Sequence, residues 1–380
     1  MRKMQALLLS SLLVVSACTP VFDNREEVIQ ETRDESTDQA AIVPNYTMNE
    51  EDYRMILREN STSVSSARNV TTSQMGNRLD IAEFEDGLRR LSKEHYDPET
   101  YLFQPGQFLE GDTLISWLSR GNVSEGGLNP ELDEDEATQE EFEESPRYIS
   151  NIVEQNYLIR NEENVVDVEG VTIGIALRTV YNYTTEGRDF QVDHSREELL
   201  EKGKEYAQTI LERLRAREDL ADKPIMFALY EEEEASSKVP GNFLSKAFVD
   251  GSDMSVRGWE DLNENHILFP SAEAEEDYFD DSQLFSDFRT EVAKYFPNFV
   301  GTIVNGFYVN DELREVSIDI PIQFHSQSEV VGFTQYVYSL VVEMFPEHYD
   351  VEVNIFSMDQ QESVIVRNAG EEEPFVHVYE

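Results

Sequence analysis

One thiol stands in 380 residues, that of Cys18. Ahead of it come a basic head (Arg2, Lys3), an apolar run from Ala6 to Val15, and two small residues, Ser16 and Ala17. This is the layout of a secretory signal peptide. The apolar run is about ten residues, roughly half of what a membrane-spanning helix needs. Val15-Ser16-Ala17-Cys18 also resembles the bacterial lipobox, in which the thiol takes a diacylglyceryl group and the chain is cut before the cysteine. The expected chemistry is therefore alkylation of the Cys18 sulfur, then hydrolysis of the Ala17–Cys18 bond. Prolipoprotein diacylglyceryl transferase and signal peptidase II are the partners for those steps. The bilayer is the partner afterwards, with the mature chain lipid-anchored on the outer face of the cell membrane.

No other stretch has a catalytic pattern. There is no phosphate-binding glycine loop, no H-E-x-x-H, no G-x-S-x-G and no S-x-x-K. The six histidines (His95, His194, His266, His325, His348, His377) are far apart with no ligand spacing, so structural or surface roles are expected. Asp193-His194-Ser195 holds the residue types of a hydrolytic relay, but adjacent side chains diverge, and Ser195 reads better as a helix N-cap. Asp250, Asp253, Glu260 and Asp261 lie near Gly251 without the spacing of a calcium loop. Trp259 is expected in the core. Neither a metal, a cofactor nor an enzyme activity is expected.

Charge narrows the partners. Asp and Glu number 78 against 30 Lys and Arg, a net charge of −48. Such a surface repels nucleic acid and anionic lipid, so nucleic-acid binding is excluded and membrane attachment must come from lipid. With Cys18 alkylated, no intramolecular disulfide can form, and the fold rests on its core.

The elements follow from periodicity. Residues 1–17 are the signal peptide and 18–75 an acidic, polar tether, too poor in aliphatics to offset ordering, with a short helix at 50–58. Ile81, Phe84, Leu88 and Leu91 line one helix face, with Asp80 and Glu83 as a cap pair. Residues 101–108 are extended with a turn at Pro105-Gly106, 112–120 a short helix, and 121–145 a mobile acidic loop. Val171 to Leu177 reads as a strand buried on both faces. Ser195 with Glu198 and Ser326 with Glu329 are capping boxes. The first opens a helix on Leu199, Tyr206, Ile210 and Leu214, the second one on Val330, Thr334, Val337 and Val341. Strands follow at 224–230, 349–357 and 362–368, and a hairpin at 299–324. Both halves thus read hairpin, capped helix, strand. The expected class is α+β: two similar subdomains, 76–240 and 241–380, with largely antiparallel sheets packed against capped helices.

Four motifs carry a family resemblance: Arg78-Leu-Asp-Ile-Ala-Glu-Phe-Glu-Asp-Gly-Leu88 with Leu91-Ser92-Lys93, Tyr101-Leu-Phe-Gln-Pro-Gly-Gln-Phe108, Trp117-Leu118, and Gly170-Val-Thr-Ile-Gly-Ile-Ala-Leu177. The chain resembles the CamS lipoproteins, the sex pheromone precursors of Gram-positive bacteria. The resemblance implies that further proteolysis of the cut signal peptide releases a seven- or eight-residue peptide. That peptide induces plasmid conjugation through a receptor in recipient cells. Here the corresponding segment is residues 11–17 (Ser11, Leu12, Leu13, Val14, Val15, Ser16, Ala17), which carries Leu and Val where the family's peptides are rich in Ile and Phe. The alternative is a non-catalytic surface binding or adhesion lipoprotein whose α+β part engages a ligand.

Overall fold

A computed structural model describes residues 25–30, 39–44, 52–58, 70, 75, 78–295, 301–323, 326–357 and 360–379. Its architecture is α+β, organised around two sheets. The first takes short outer strands β1 (Arg25–Gln30), β2 (Gln39–Pro44), β3 (Arg54–Met55) and β4 (Leu57–Arg58). Helix α1 (Arg78–Ser92) follows, then β5 (Leu102–Pro105), α2 (Gly111–Leu118) and α3 (Gln139–Glu144). The long strands β6 (Ile149–Arg160) and β7 (Val165–Arg178) pair antiparallel. After a separate hairpin, β8 (Val180–Thr185) and β9 (Arg188–Asp193), helix α4 (Arg196–Arg215) crosses to β10 (Ile225–Glu232). Strand β10 runs parallel to β7 and antiparallel to β11 (Asn242–Val249), which also pairs with β12 (Glu260–Asp261).

The second sheet begins with β13 (Glu264–Phe269). Helices α5 (Ala272–Asp277) and α6 (Phe279–Ala293) lead to β14 (Ile303–Val309) and β15 (Glu312–Ile322). Helix α7 (Gln327–Met344) crosses to β16 (Asp350–Ser357), followed by β17 (Gln360–Arg367) and β18 (Phe375–Val378). The strand order is β13-β14-β15-β16-β17-β18, antiparallel except for β15 beside β16. Both halves therefore share one plan. A hairpin (β6-β7, β14-β15) is followed by a helical crossover to a parallel strand (β10, β16) and an antiparallel return (β11, β17). The change of sheet falls between Asp261 and Glu264 rather than at 240/241, because β11 pairs with β10 and β12.

Helices cover both faces of the first sheet. Leu199, Tyr206, Ile210 and Leu214 of α4 pack on Val171, Ile173, Ile175 and Leu177, while Phe84 and Leu88 of α1 pack on the reverse face with Met226, Ala228 and Tyr230. Strand β7 is buried on both sides, as its β-branched run predicts. In the second sheet, Phe288 of α6 and Phe333, Val337 and Val341 of α7 pack against Val316, Ile318, Val353 and Ile355.

Several local expectations are corrected. The helix foreseen at 50–58 is instead the strand pieces β3 and β4, since Tyr53 buries in the core with Phe84 and Leu88 while Ile56 buries with Leu102 and Leu158. Within the stretch read as a tether, Val28 and Val43 bury with Ile56, and Ile29 pairs with Val165. The acidic loop is pinned. The wholly buried Arg120 donates to the Pro130 and Ser145 carbonyls at 2.8 Å and to Glu134 at 2.7 Å. Ser195 caps α4 by accepting from the Glu198 N–H at 3.3 Å, but the Glu198 carboxylate instead takes the Tyr148 hydroxyl at 3.0 Å. Ser326 keeps its reciprocal arm: its N–H donates to Glu329 at 2.9 Å.

Candidate functional site

Helix α1 is the element the two sheets share. Its apolar face lies on the first sheet, and its polar side turns to the open face of the second. Asp80 is not a cap, because the helix begins two residues earlier. Its buried carboxylate accepts from the Tyr230 hydroxyl and the Gly241 N–H, both at 2.7 Å. Burial drives the Asp80 carboxyl above the ordinary range, and those donors offset only part of that.

One turn on, Glu83 and Arg90 reach the second sheet. Arg90 Nη2 donates to Glu83 at 2.9 Å and to Glu264, which is nearly buried, at 3.2 Å. The Arg90 guanidinium also sits 4.5 Å from the Phe307 ring centre, within cation–π range. His266 stacks on the same ring, centroids 4.6 Å apart, with Nε2 3.7 Å from Glu83 Oε1. The His266 side chain is only 8% exposed, yet neither ring nitrogen makes a hydrogen bond. His266, Phe307 and Glu315 are register partners across β13, β14 and β15, so they form one row on the open face. Burial pushes the Glu83 carboxyl up, but His266 and Arg90 outweigh it and hold Glu83 below its ordinary value. For Glu264 burial wins over Arg90, and that carboxyl is raised. Between α1 and this row lies a cleft of about 210 Å³.

The glycine in the first motif belongs to this arrangement. A Cβ at Gly87 would lie 2.5 Å from Phe243 Cε2 and 2.7 Å from Glu83 Oε1, so only glycine leaves room for both. The other motifs serve packing around the first sheet. A Cβ at Gly170 would lie 2.1 Å from Tyr96, and one at Gly174 would lie 2.7 Å from Phe84. Ser92 and Thr172 hydroxyls meet at 2.9 Å, joining the first motif to the last. The turn at Pro105-Gly106 wraps the Glu154 carboxylate, which accepts from the N–H groups of Gln107, Phe108 and Leu109 at 2.6–3.0 Å. Leu118 is core, while Trp117 lies at its margin with Arg213 5.0 Å from the ring centre.

Cys18, Ala17 and the rest of residues 11–17 lie outside the described residues, as does His325. The other five histidines are not brought together; each packs on a different aromatic ring. His194 lies against Tyr148 rather than in a relay with Ser195. The Asp250–Asp253 turn is fastened through its carbonyls by Arg215. Among the described residues no three His, Cys, Asp or Glu side chains are grouped to hold a metal. Trp259 lies half-buried against the first core, with Lys204 5.7 Å from its ring centre.

Residues 63–373 match the model of a protein family described as CamS sex pheromone cAM373 precursor. The chain belongs to the CamS family. It is similar to the crystal structure of a sex pheromone precursor from Lactobacillus salivarius subsp. salivarius UCC118. That likeness has 29% identity and a TM-score of 0.81, and covers 88% of this chain and 98% of that one. It is also similar to the C-terminal domain of the sex pheromone staph-cAM373 precursor from Staphylococcus aureus. Identity there is 30% and the TM-score 0.70, over 81% of this chain and 98% of that one. No curated protein matches this CamS chain. The resemblance read from the four motifs is thus borne out, as is the α+β class.

Proposed function

We propose that this CamS protein is an exported lipoprotein precursor with two products from one cut. The observation that carries this is the lone thiol at Cys18, directly after a short apolar run ending in small residues, in a member of a pheromone-precursor family. The Cys18 thiol gives up its proton and its sulfur displaces the phosphate headgroup of a membrane phospholipid, forming a diacylglyceryl thioether, and hydrolysis of the Ala17–Cys18 bond follows. The lipid holds the acidic chain on the outer face of the membrane against its own charge repulsion. Residues 11–17 become a small apolar peptide suited to a receptor cleft in recipient cells. A synthetic peptide of residues 11–17 is expected to induce conjugation in recipients carrying a responsive plasmid. No response across recipient strains overturns the pheromone role.

A second reading concerns the folded part: a non-catalytic binding protein at the cell surface. The cleft between α1 and β13–β15 favours it, since a buried histidine without hydrogen-bond partners faces an open pocket. Pull-down with the full chain tests it, and absence of any partner above background counts against it.

A further inference from the structure

We propose that the cleft under α1 binds the ammonium group of a short alkylamine. This rests on the second reading above, that the folded part takes a ligand, and names its chemical class. The polar atoms without partners in the cleft are acceptors or can accept. Asn305 Oδ1 is buried and makes no hydrogen bond, and neither nitrogen of His266 makes one. Glu315 lies in the same row as His266, which acts on it electrostatically, and faces Glu83 as well. The one guanidinium present, Arg90, is committed to Glu83 and Glu264. Three carboxylates (Glu83, Glu264, Glu315) thus face Arg90 and the His266 ring, so negative charge is in excess. A cleft with that imbalance repels anions and rewards a cation that carries N–H donors.

The rest of the lining selects the body of the ligand. Leu79, Ala82 and Pro240 supply an apolar wall beside the acceptors. A methylene chain fits against them while its ammonium reaches Glu315 and Asn305. The volume, about 210 Å³, lies below the roughly 300–1,000 Å³ usual for larger ligands, so the chain is short. A bare metal ion is disfavoured, because no three metal-ligating side chains converge among the described residues. A free amine and a lysine side chain share this chemistry.

The test uses the full chain with isotope-labelled histidine, following the His266 ring by NMR and assigning its signal by loss in His266→Gln. Cadaverine represents the free amine and Nα-acetyl-lysine N-methylamide the lysine side chain. Tetramethylammonium, which has no N–H, is the control at equal ionic strength. A saturable shift with either amine is expected, and the tighter of the two identifies the source. Glu315→Gln should weaken it at least about tenfold, the loss of one charge-assisted hydrogen bond. Glu275→Gln, which lines a different groove beside Phe269 and Phe285, should leave it unchanged. Glu315 lies on an exposed strand position, so its variant is expected to fold, with circular dichroism as the check. The inference is overturned by a shift that does not saturate, by an equal shift with tetramethylammonium, or by one unaffected in Glu315→Gln. Failure here leaves the pull-down with the full chain to judge surface binding independently.

Discussion

A carboxylate buried in a sheet must find donors or keep its proton, and Glu154 finds three backbone N–H groups in the turn that wraps it. Burial still pushes its carboxyl above the ordinary value, since the donors only partly replace water. Glu154→Gln would set an amide N–H₂ against those donors. It is expected to cost about 1–3 kcal/mol in urea unfolding. Stability equal to wild type would show that the turn does not depend on this contact. The extended segment and its turn were legible from Pro105-Gly106, but its partner was not. Glu154 lies over forty residues away, and in a chain this acidic one carboxylate looks like another. The same holds for Asp80, read as a cap and found on Tyr230, and for Arg90, which meets Glu264 at a sequence separation of 174.

At the scale of elements, helix α1 shows what periodicity does and does not carry. The spacing of Phe84, Leu88 and Leu91 specified its buried face, because burial against one sheet repeats with the helix. Its second role depends on the polar face, where no period marks a contact. Gly87 is the one local hint, a poor helix former in mid-helix. Propensity alone favours Ala there by about 1 kcal/mol. The close approach of Phe243 and Glu83 reverses the sign, and Gly87→Ala is expected to destabilise by about 1–3 kcal/mol on denaturant titration. A stabilised variant would mean that α1 is not clamped between the sheets. The crossover helices were easier to read, since Ser195 and Ser326 mark their starts and both do stand at the N-cap. The Glu198 arm escaped prediction because Tyr148, an aromatic from a different strand region, competes for it.

For the whole molecule, charge governs the response to pH. Burial raises the carboxyls of Asp80, Glu154 and Glu264. Each therefore binds its proton more tightly folded than unfolded. Its contribution to stability is fullest below the ordinary carboxylate value and is lost as pH rises through the raised one. Relief of repulsion in a chain of net charge −48 acts in the same direction. Glu134 runs oppositely: burial pushes it up, but Arg147 and Arg120 hold it down to about 2. That stability is present above the ordinary glutamate value of 4.5 and is lost as pH falls toward about 2. Tm is thus expected to rise from about pH 7 to about pH 5 and to fall again below about pH 4. A Tm that falls steadily on acidification from neutrality would contradict these assignments. The proposed function reduces to one processing event, read from eighteen residues that lie outside the described ones. Mass spectrometry of the membrane-bound protein from a Gram-positive host tests it most directly, with the medium analysed alongside. The account predicts a mature chain that begins at a diacylglyceryl-modified Cys18 and a released peptide that ends at Ala17. A chain that retains residues 1–17, or an unlipidated one that begins elsewhere, would contradict it.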